Sequence, residues 1–179
     1  MSQVSQYGDK PNSLPQSEEP IPAGTTIGHV HLKVSNIPKA LTFWRDVLGF
    51  EVVITDDVSV AFLSAGGYHH HIGLNTWDSA GGKPPAPGTT GLYHAAILYP
   101  TRKDLARAVQ RLVEHNWPID GASDHGVSEA IYLRDGDQNG VELYYDRTRD
   151  QWPKDEHGEV TMYTRRLDFD SLMKEIESN

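Results

Sequence analysis

The sequence predicts an α+β fold built from two βαβββ repeats within one chain of 179 residues. Stretches that alternate apolar and polar residues, as strands do, are joined in each half by one stretch with apolar residues at helical spacing. The two halves can also be aligned on each other with one offset. His29 and His94 lie 65 positions apart, and the same offset aligns Ala40 with Leu105. A chain of this length can bury one core that both repeats share.

The first repeat, residues 25–78, opens with the alternating stretch Ile27 to Val34, which predicts a strand that carries His29. Ser35 or Asn36 can then cap a helix. The apolar stripe of that helix consists of Ala40, Leu41, Phe43, Trp44, Val47 and Leu48. Three further strands are predicted at Phe50–Ile54, Ser59–Leu63 and Tyr68–Leu74.

The second repeat, residues 91–149, follows a loop rich in Gly and Pro and has the same plan. Its first strand, Leu92 to Tyr99, carries His94, and Thr101 is a good N-cap for the helix that comes next. The inner stripe of this helix consists of Leu105, Ala108, Val109, Leu112 and Val113. Three strands follow, and the last two meet at the turn Asn139-Gly140, whose residues both tolerate positive φ.

A single carboxylate, Glu142, lies between two apolar residues of the last strand. Burying it is costly unless it meets a cation or a metal. The repeat makes Gly73 its counterpart, so His29, Gly73, His94 and Glu142 occupy four equivalent positions. Two histidines and one carboxylate with open coordination positions form the facial triad of non-haem Fe(II) oxygen chemistry. We therefore predict that His29, His94 and Glu142 bind Fe(II), with Mn(II) as an alternative ion.

Other histidines lie near these positions in the predicted strands. Alternation places His31, His69, His71 and Tyr144 on the ligand faces and turns His70 the other way. Simpler explanations stay open at this point. Strand histidines are often hydrogen-bonded core residues, a strand carboxylate can pair with a surface cation, and a run of three histidines can be a surface tract.

Composition restricts the class of protein. The formal charge is −9, with 16 basic and 25 acidic residues and no basic run, so we expect no binding to nucleic acid. The chain has no cysteine, so any metal site must use His, Asp or Glu. Neither a membrane span nor a signal peptide is evident, which makes a cytoplasmic location the expectation. Residues 1–24 are predicted to form a flexible arm, and residues 150–179 a tail with a short amphipathic helix near Asp168–Ile176.

The repeated plan, with GHVHLKV and FWRDVLGFEVV in one half and LYHAAIL and QNGVELYYD in the other, resembles the vicinal oxygen chelate superfamily. That superfamily includes glyoxalase I, bleomycin resistance proteins and extradiol ring-cleaving dioxygenases. The resemblance covers residues 25–149 and implies a curved mixed sheet around a metal-binding cavity. Within the superfamily, the chain is most similar to proteins of the catechol 2,3-dioxygenase type. Many of those have four repeats, whereas this chain has room for two.

The extradiol signature runs from a histidine through an apolar-Tyr pair and an Asp turn to a glutamate. It corresponds here to His125, Tyr132 with the residue before it, the turn at Asp135 and Glu142. The resemblance therefore implies that His125 and Tyr132 hydrogen-bond the oxygens of the substrate. The paired-histidine strand of the family is matched by residues 68–72, which together with alternation favours His71 as the acid–base group.

The resemblance implies an enzyme that cleaves a small aromatic diol with dioxygen. Two alternatives share the scaffold: a metal-dependent lyase or isomerase of the glyoxalase kind, and a non-catalytic protein that sequesters a ligand. The first commonly has a fourth ligand where Gly73 stands, and the second needs no metal triad. Two repeats can close one cavity within a chain or pair across a dimer, so a homodimer is also possible.

Overall fold

The computed structural model describes residues 19–177. Each half follows the order βαβββ. The first half consists of β1 (Val30–Lys33), α1 (Ile37–Leu41), β2 (Glu51–Thr55), β3 (Val60–Ser64) and β4 (Ile72–Asn75). The second half consists of β5 (Ala95–Leu98), α2 (Arg102–Glu114), β6 (Ile119–Asp124), β7 (Ser128–Arg134) and β8 (Gly140–Asp146). The predicted α+β class with two βαβββ repeats is confirmed.

Each half forms its own mixed sheet. The strand order is β1-β4-β3-β2 in the first sheet and β5-β8-β7-β6 in the second. In both, the first strand runs parallel to the last and the other pairs are antiparallel. His31 pairs with Gly73 in the first sheet, and Ala96 pairs with Glu142 in the second. Gly73 and Glu142 therefore occupy equivalent positions, as the repeat register predicts.

The first helix begins at Asn36, whose side chain accepts a hydrogen bond from the backbone N–H of Lys39. It is α-helical only as far as Leu41 and continues as a π-helical segment, Thr42–Val47. The second helix is capped by Thr101, as predicted, and remains α-helical over its whole length. A π-helical turn is rare and often marks a functional or strained position.

One apolar core joins the two sheets and the two helices. Its largest fully buried side chains include Trp44, Phe43 and Ile37 from the first half and Leu105 and Leu112 from the second. Polar contacts reinforce the junction. The Arg111 guanidinium of α2 donates to the backbone carbonyl of Val47 at 2.7 Å. The two repeats thus share one core, and this contact ties the second helix to the helical segment of the first half.

The tail adds two elements that the repeats do not contain. A short strand, β9 (Arg165–Arg166), pairs antiparallel with the edge of β6. The predicted amphipathic helix is present as α3 (Phe169–Glu177), and its fully buried Leu172 belongs to the shared core. Most of the predicted arm lies outside the described residues. Over the part of the chain that the structure describes, no helix is long and apolar enough to cross a membrane.

Candidate active site

The structure brings Glu142 against one of the predicted histidines. Glu142 lies in β8, and its Oε2 is 2.8 Å from Nε2 of His94, which immediately precedes the neighbouring strand β5. The Glu142 side chain is only 14% exposed. A carboxylate buried to this degree needs a compensating partner, and the imidazole supplies one. A histidine and a carboxylate in contact are also two ligands of the type that Fe(II) and Mn(II) accept.

The third predicted ligand lies elsewhere. His29 is exposed just before β1 in the other sheet, and its ring centroid is 4.5 Å from that of His70. Among residues 19–177, no group of three or more His, Cys, Asp or Glu side chains is arranged to hold a metal ion. The residues therefore fit a metal ion in part: His94 and Glu142 form a two-donor pair, and His29 is not grouped with them.

Gly73, interpreted from the sequence as an open coordination corner, has a packing role. A Cβ atom at this position would lie 2.9 Å from the ring of His31 on the adjacent strand. Nε2 of His31 is 2.9 Å from Nδ2 of Asn75, so the amide donates to the ring nitrogen. Burial, together with the neighbouring His29, lowers the pKa of His31. The glycine thus gives room to a neutral imidazole.

The three consecutive histidines do not lie in a strand. Because β4 begins at Ile72, they belong to the connection from β3, and strand alternation does not orient them. The prediction that His70 points away from the ligand face is wrong: its ring lies against His29 and, with centroids 4.8 Å apart, against Phe62. Desolvation and the surrounding imidazoles lower the pKa of His70.

His71 is turned toward the β3 side of this connection. Its Nδ1 accepts from the backbone N–H of Ala65 at 3.3 Å and lies 3.3 Å from the hydroxyl of Ser64. Its ring packs on Tyr68. The role predicted for His71 in acid–base chemistry stays a prediction, whereas the imidazole beside His29 is that of His70.

His125 and Tyr132, which the signature implies as partners of the substrate oxygens, are in direct contact with each other. Nε2 of His125 lies 2.7 Å from the Tyr132 hydroxyl. Tyr132 pairs with Glu142 across β7 and β8, so the phenol and the carboxylate share one face of the sheet. The rings of Tyr132 and His94 are 5.9 Å apart. Burial, with the nearby Glu142 charge, raises the pKa of Tyr132 to about 12.

The tail supplies site residues that the sequence argument did not find. The backbone carbonyl of Tyr163 lies 3.1 Å from Nδ1 of His125, and the hydroxyl of Thr164 lies 3.3 Å from the same nitrogen. A backbone carbonyl is present at every residue, so its use as a partner leaves no trace in residue type.

The chain is similar to proteins of one superfamily. The family model described as Glyoxalase/Bleomycin resistance protein/Dioxygenase superfamily matches residues 26–143. A catechol-2,3-dioxygenase of Bacillus subtilis (strain 168) is 42% identical over 151 residues, which are 84% of this chain and 52% of that protein. Biphenyl-2,3-diol 1,2-dioxygenase 3 of Rhodococcus globerulus is 32% identical over 67% of this chain and 63% of that protein. The chain thus spans about half the length of the Bacillus relative.

Solved structures show the same fold. A glyoxalase/dioxygenase from Nostoc punctiforme aligns with a TM-score of 0.59 at 19% identity, covering 74% of this chain and all of that one. Lactoylglutathione lyase from Agrobacterium tumefaciens aligns with a TM-score of 0.54 at 21% identity, covering 69% of this chain and 96% of that one. At such identities the likeness concerns the fold alone, because this fold carries several chemistries.

Proposed function

Because this chain belongs to the glyoxalase/bleomycin resistance protein/dioxygenase superfamily, we propose that it is a ring-cleaving dioxygenase acting on a small aromatic diol. The observation that carries the proposal is the common face of β7 and β8, where His94, Glu142, Tyr132 and His125 follow one another in contact. The dioxygenase names of the two relatives above support the same reaction class.

We assign the metal to the His94–Glu142 pair, with Fe(II) as the ion and Mn(II) as the alternative. His29 is proposed as the third donor, although its ring contacts His70 in the structure. When bound, such an ion lowers the pKa of a coordinated hydroxyl and brings two reactants together. The imidazole and carboxylate bind such an ion through unprotonated atoms, so the metal competes with protons for them.

Tyr132 and His125 are proposed to act on the oxygens of the diol. With its pKa raised to about 12, Tyr132 keeps its proton at neutral pH and serves as a hydrogen-bond donor. His125 is proposed as the base that takes the hydroxyl proton of the substrate, because its Nε2 lies next to the Tyr132 hydroxyl on the same face. His71 was predicted as a further acid–base group. His70, whose ring lies beside His29, is the second candidate for that role.

Oxygen consumption tests the proposal. Protein loaded with Fe(II) without air should consume dioxygen one-for-one with a catechol from a small panel and form a ring-fission product. Glu142→Gln should abolish uptake, whereas Glu51→Gln, which alters an exposed carboxylate of β2, should preserve it. Isomerisation of a hemithioacetal without oxygen uptake would establish the glyoxalase alternative. Return of an unchanged ligand without uptake would establish the sequestering alternative.

A further inference from the structure

The segment that follows the family-matched residues closes over the turn that carries His125. The match ends at residue 143, and the tail then returns to this turn through Pro153 and Tyr163. The backbone N–H of Tyr163 donates to the carbonyl of His125 at 3.2 Å. In return, Nδ1 of the His125 ring faces the carbonyl of Tyr163 at 3.1 Å. Tyr163 therefore contacts both the backbone and the ring of His125.

The Tyr163 carbonyl determines which ring nitrogen carries the proton. A carbonyl oxygen only accepts hydrogen bonds, so the nitrogen that faces it must be protonated. In the neutral ring, Nε2 then carries the lone pair. It accepts a hydrogen bond from the Tyr132 hydroxyl, whose oxygen is 2.7 Å away. The other neutral tautomer would set two acceptors against each other at Nδ1. The Thr164 hydroxyl, 3.3 Å from Nδ1, can donate to a bare nitrogen, but the Tyr163 carbonyl is closer and only accepts, so the Nδ1–H form suits this environment better.

Packing holds the Tyr163 carbonyl in place. A Cβ atom at Gly126, whose φ is +81°, would lie 2.7 Å from the Tyr163 ring and 2.8 Å from Pro153, so the tail rests directly on this glycine. The guanidinium of Arg165 lies 4.1 Å from the centroid of the Tyr163 ring. Backbone pairing of β9 with β6 then fixes the residues that follow. The ring of Tyr163 is thus an anchor for its own carbonyl.

We propose that Tyr163 is a positioning residue, whose backbone carbonyl holds His125 in the Nδ1–H tautomer with the Nε2 lone pair directed at the Tyr132 hydroxyl. This inference rests on the proposed function only for its consequence in catalysis. In that step, the Tyr132 hydroxyl turns its hydrogen bond from Nε2 to a substrate oxygen, and the proton of a substrate hydroxyl moves to Nε2. The positive charge of the ring is then shared with the Tyr163 carbonyl through Nδ1–H. Return of the same proton to the product restores the starting tautomer.

The tautomer is directly measurable in the full chain without metal or substrate. Long-range ¹H–¹⁵N spectra of protein with ¹⁵N-labelled histidine, assigned with a His125→Gln sample, distinguish the protonated nitrogen from the bare one. At a pH where the ring is neutral, His125 should show a protonated Nδ1 and a bare Nε2. A protonated Nε2 in the neutral ring of the wild type would overturn the proposal.

Variants of Tyr163 test whether its carbonyl determines the tautomer of His125. Tyr163→Gly removes the ring and frees the backbone, so His125 should populate both neutral tautomers. Tyr163→Phe keeps the ring on Gly126 and should restore the single tautomer. Met162→Ala, which alters a side chain that is 56% exposed, is the control. An unchanged tautomer in a folded Tyr163→Gly protein would refute the proposal; if this variant does not fold, the wild-type measurement decides.

Activity gives a separate measurement. In Tyr163→Gly, kcat should fall by about 10- to 100-fold, less than the roughly 10²–10⁴-fold expected for loss of an acid–base group. Tyr163→Phe should recover most of this loss. If neither the wild type nor the Tyr163 variants consume oxygen, but the tautomer of His125 changes in Tyr163→Gly as expected, the proposed function is wrong and the positioning role stands. If uptake is normal but Tyr163→Gly leaves both tautomer and kcat unchanged, the positioning role is wrong.

Discussion

At the scale of single residues, Glu142 is the side chain whose environment most constrains function. Its carboxylate is 14% exposed and lies against one imidazole. With that imidazole protonated, the contact is an ion pair; with it neutral, the carboxylate keeps a hydrogen bond but loses a countercharge. A divalent cation would compensate the same carboxylate more fully. The His94–Glu142 contact is therefore the place at which we propose that a metal ion binds.

Metal binding should therefore depend on this pair. Glu142→Gln and His94→Gln should each weaken Mn(II) or Fe(II) binding by more than about 10²-fold. Loss of a residue that only hydrogen-bonds a ligand typically lowers metal affinity by about 10- to 100-fold, and loss of the ligand itself costs more. Anaerobic equilibrium dialysis measures the affinity, with Glu51→Gln as the control for loss of one negative charge. Unchanged affinity in both variants would remove the pair from the metal site.

His29 provides the sharper comparison in the same experiment. If it is the third donor, His29→Gln should weaken binding as strongly as His94→Gln does. This outcome requires the His29 ring to leave its contact with His70 when metal binds. Normal affinity in His29→Gln would mean that the third donor is another residue, a solvent molecule or the substrate.

At the scale of elements, strand limits decide which histidines face the site. Alternation correctly placed His31 beside Gly73, because both lie inside regular strands. It failed for His70, because the residues before Ile72 follow a turn that contains two glycines at positive φ. Alternation holds only where the backbone is extended, and no residue type in the run of histidines marks where the extended backbone begins.

The two neighbouring histidines can be separated by mutation. His70→Gln should lower kcat by about 10²-fold or more if this imidazole is the acid–base group, and it should leave stability nearly unchanged because the ring contacts other side chains only. His71→Gln removes the acceptor for the Ala65 N–H, so it should lower stability by about 1–2 kcal/mol. Oxygen uptake and urea unfolding measure the two effects. A reversed pattern, with kcat lost in His71→Gln, would restore the role predicted for His71.

At the scale of the whole molecule, the repeat was predictable and the tail contacts were not. The offset between the halves predicted the repeated βαβββ plan and the equivalence of Gly73 with Glu142, because two halves with the same pattern can be aligned on each other. The predicted grouping of His29 with His94 and Glu142 is not present among residues 19–177, since it depends on packing between the halves, which the offset does not determine. Nor did it predict the carbonyl of Tyr163, since a backbone atom is not encoded by residue type.

The whole fold should also lose stability at alkaline pH. Burial raises the pKa values of Tyr99 and Tyr132 to about 12, from an ordinary value of 10.0, with Asp104 and Glu142 adding to the two shifts respectively. Between the ordinary pKa of 10.0 and the raised pKa of about 12, the unfolded chain releases both phenol protons while the folded chain keeps them. Fewer protons bound in the unfolded state mean that the free energy of unfolding falls as pH rises through this window.

Urea unfolding at several pH values between about 9 and 12 measures this slope. Phenylalanine has no proton to release, so the double variant Tyr99→Phe and Tyr132→Phe should show a shallower fall than the wild type, with each single variant between the two. Both phenols are partly exposed, so solvent reduces the contribution of each. Parallel slopes in the wild type and the double variant would show that these two phenols do not determine the alkaline limit of the fold.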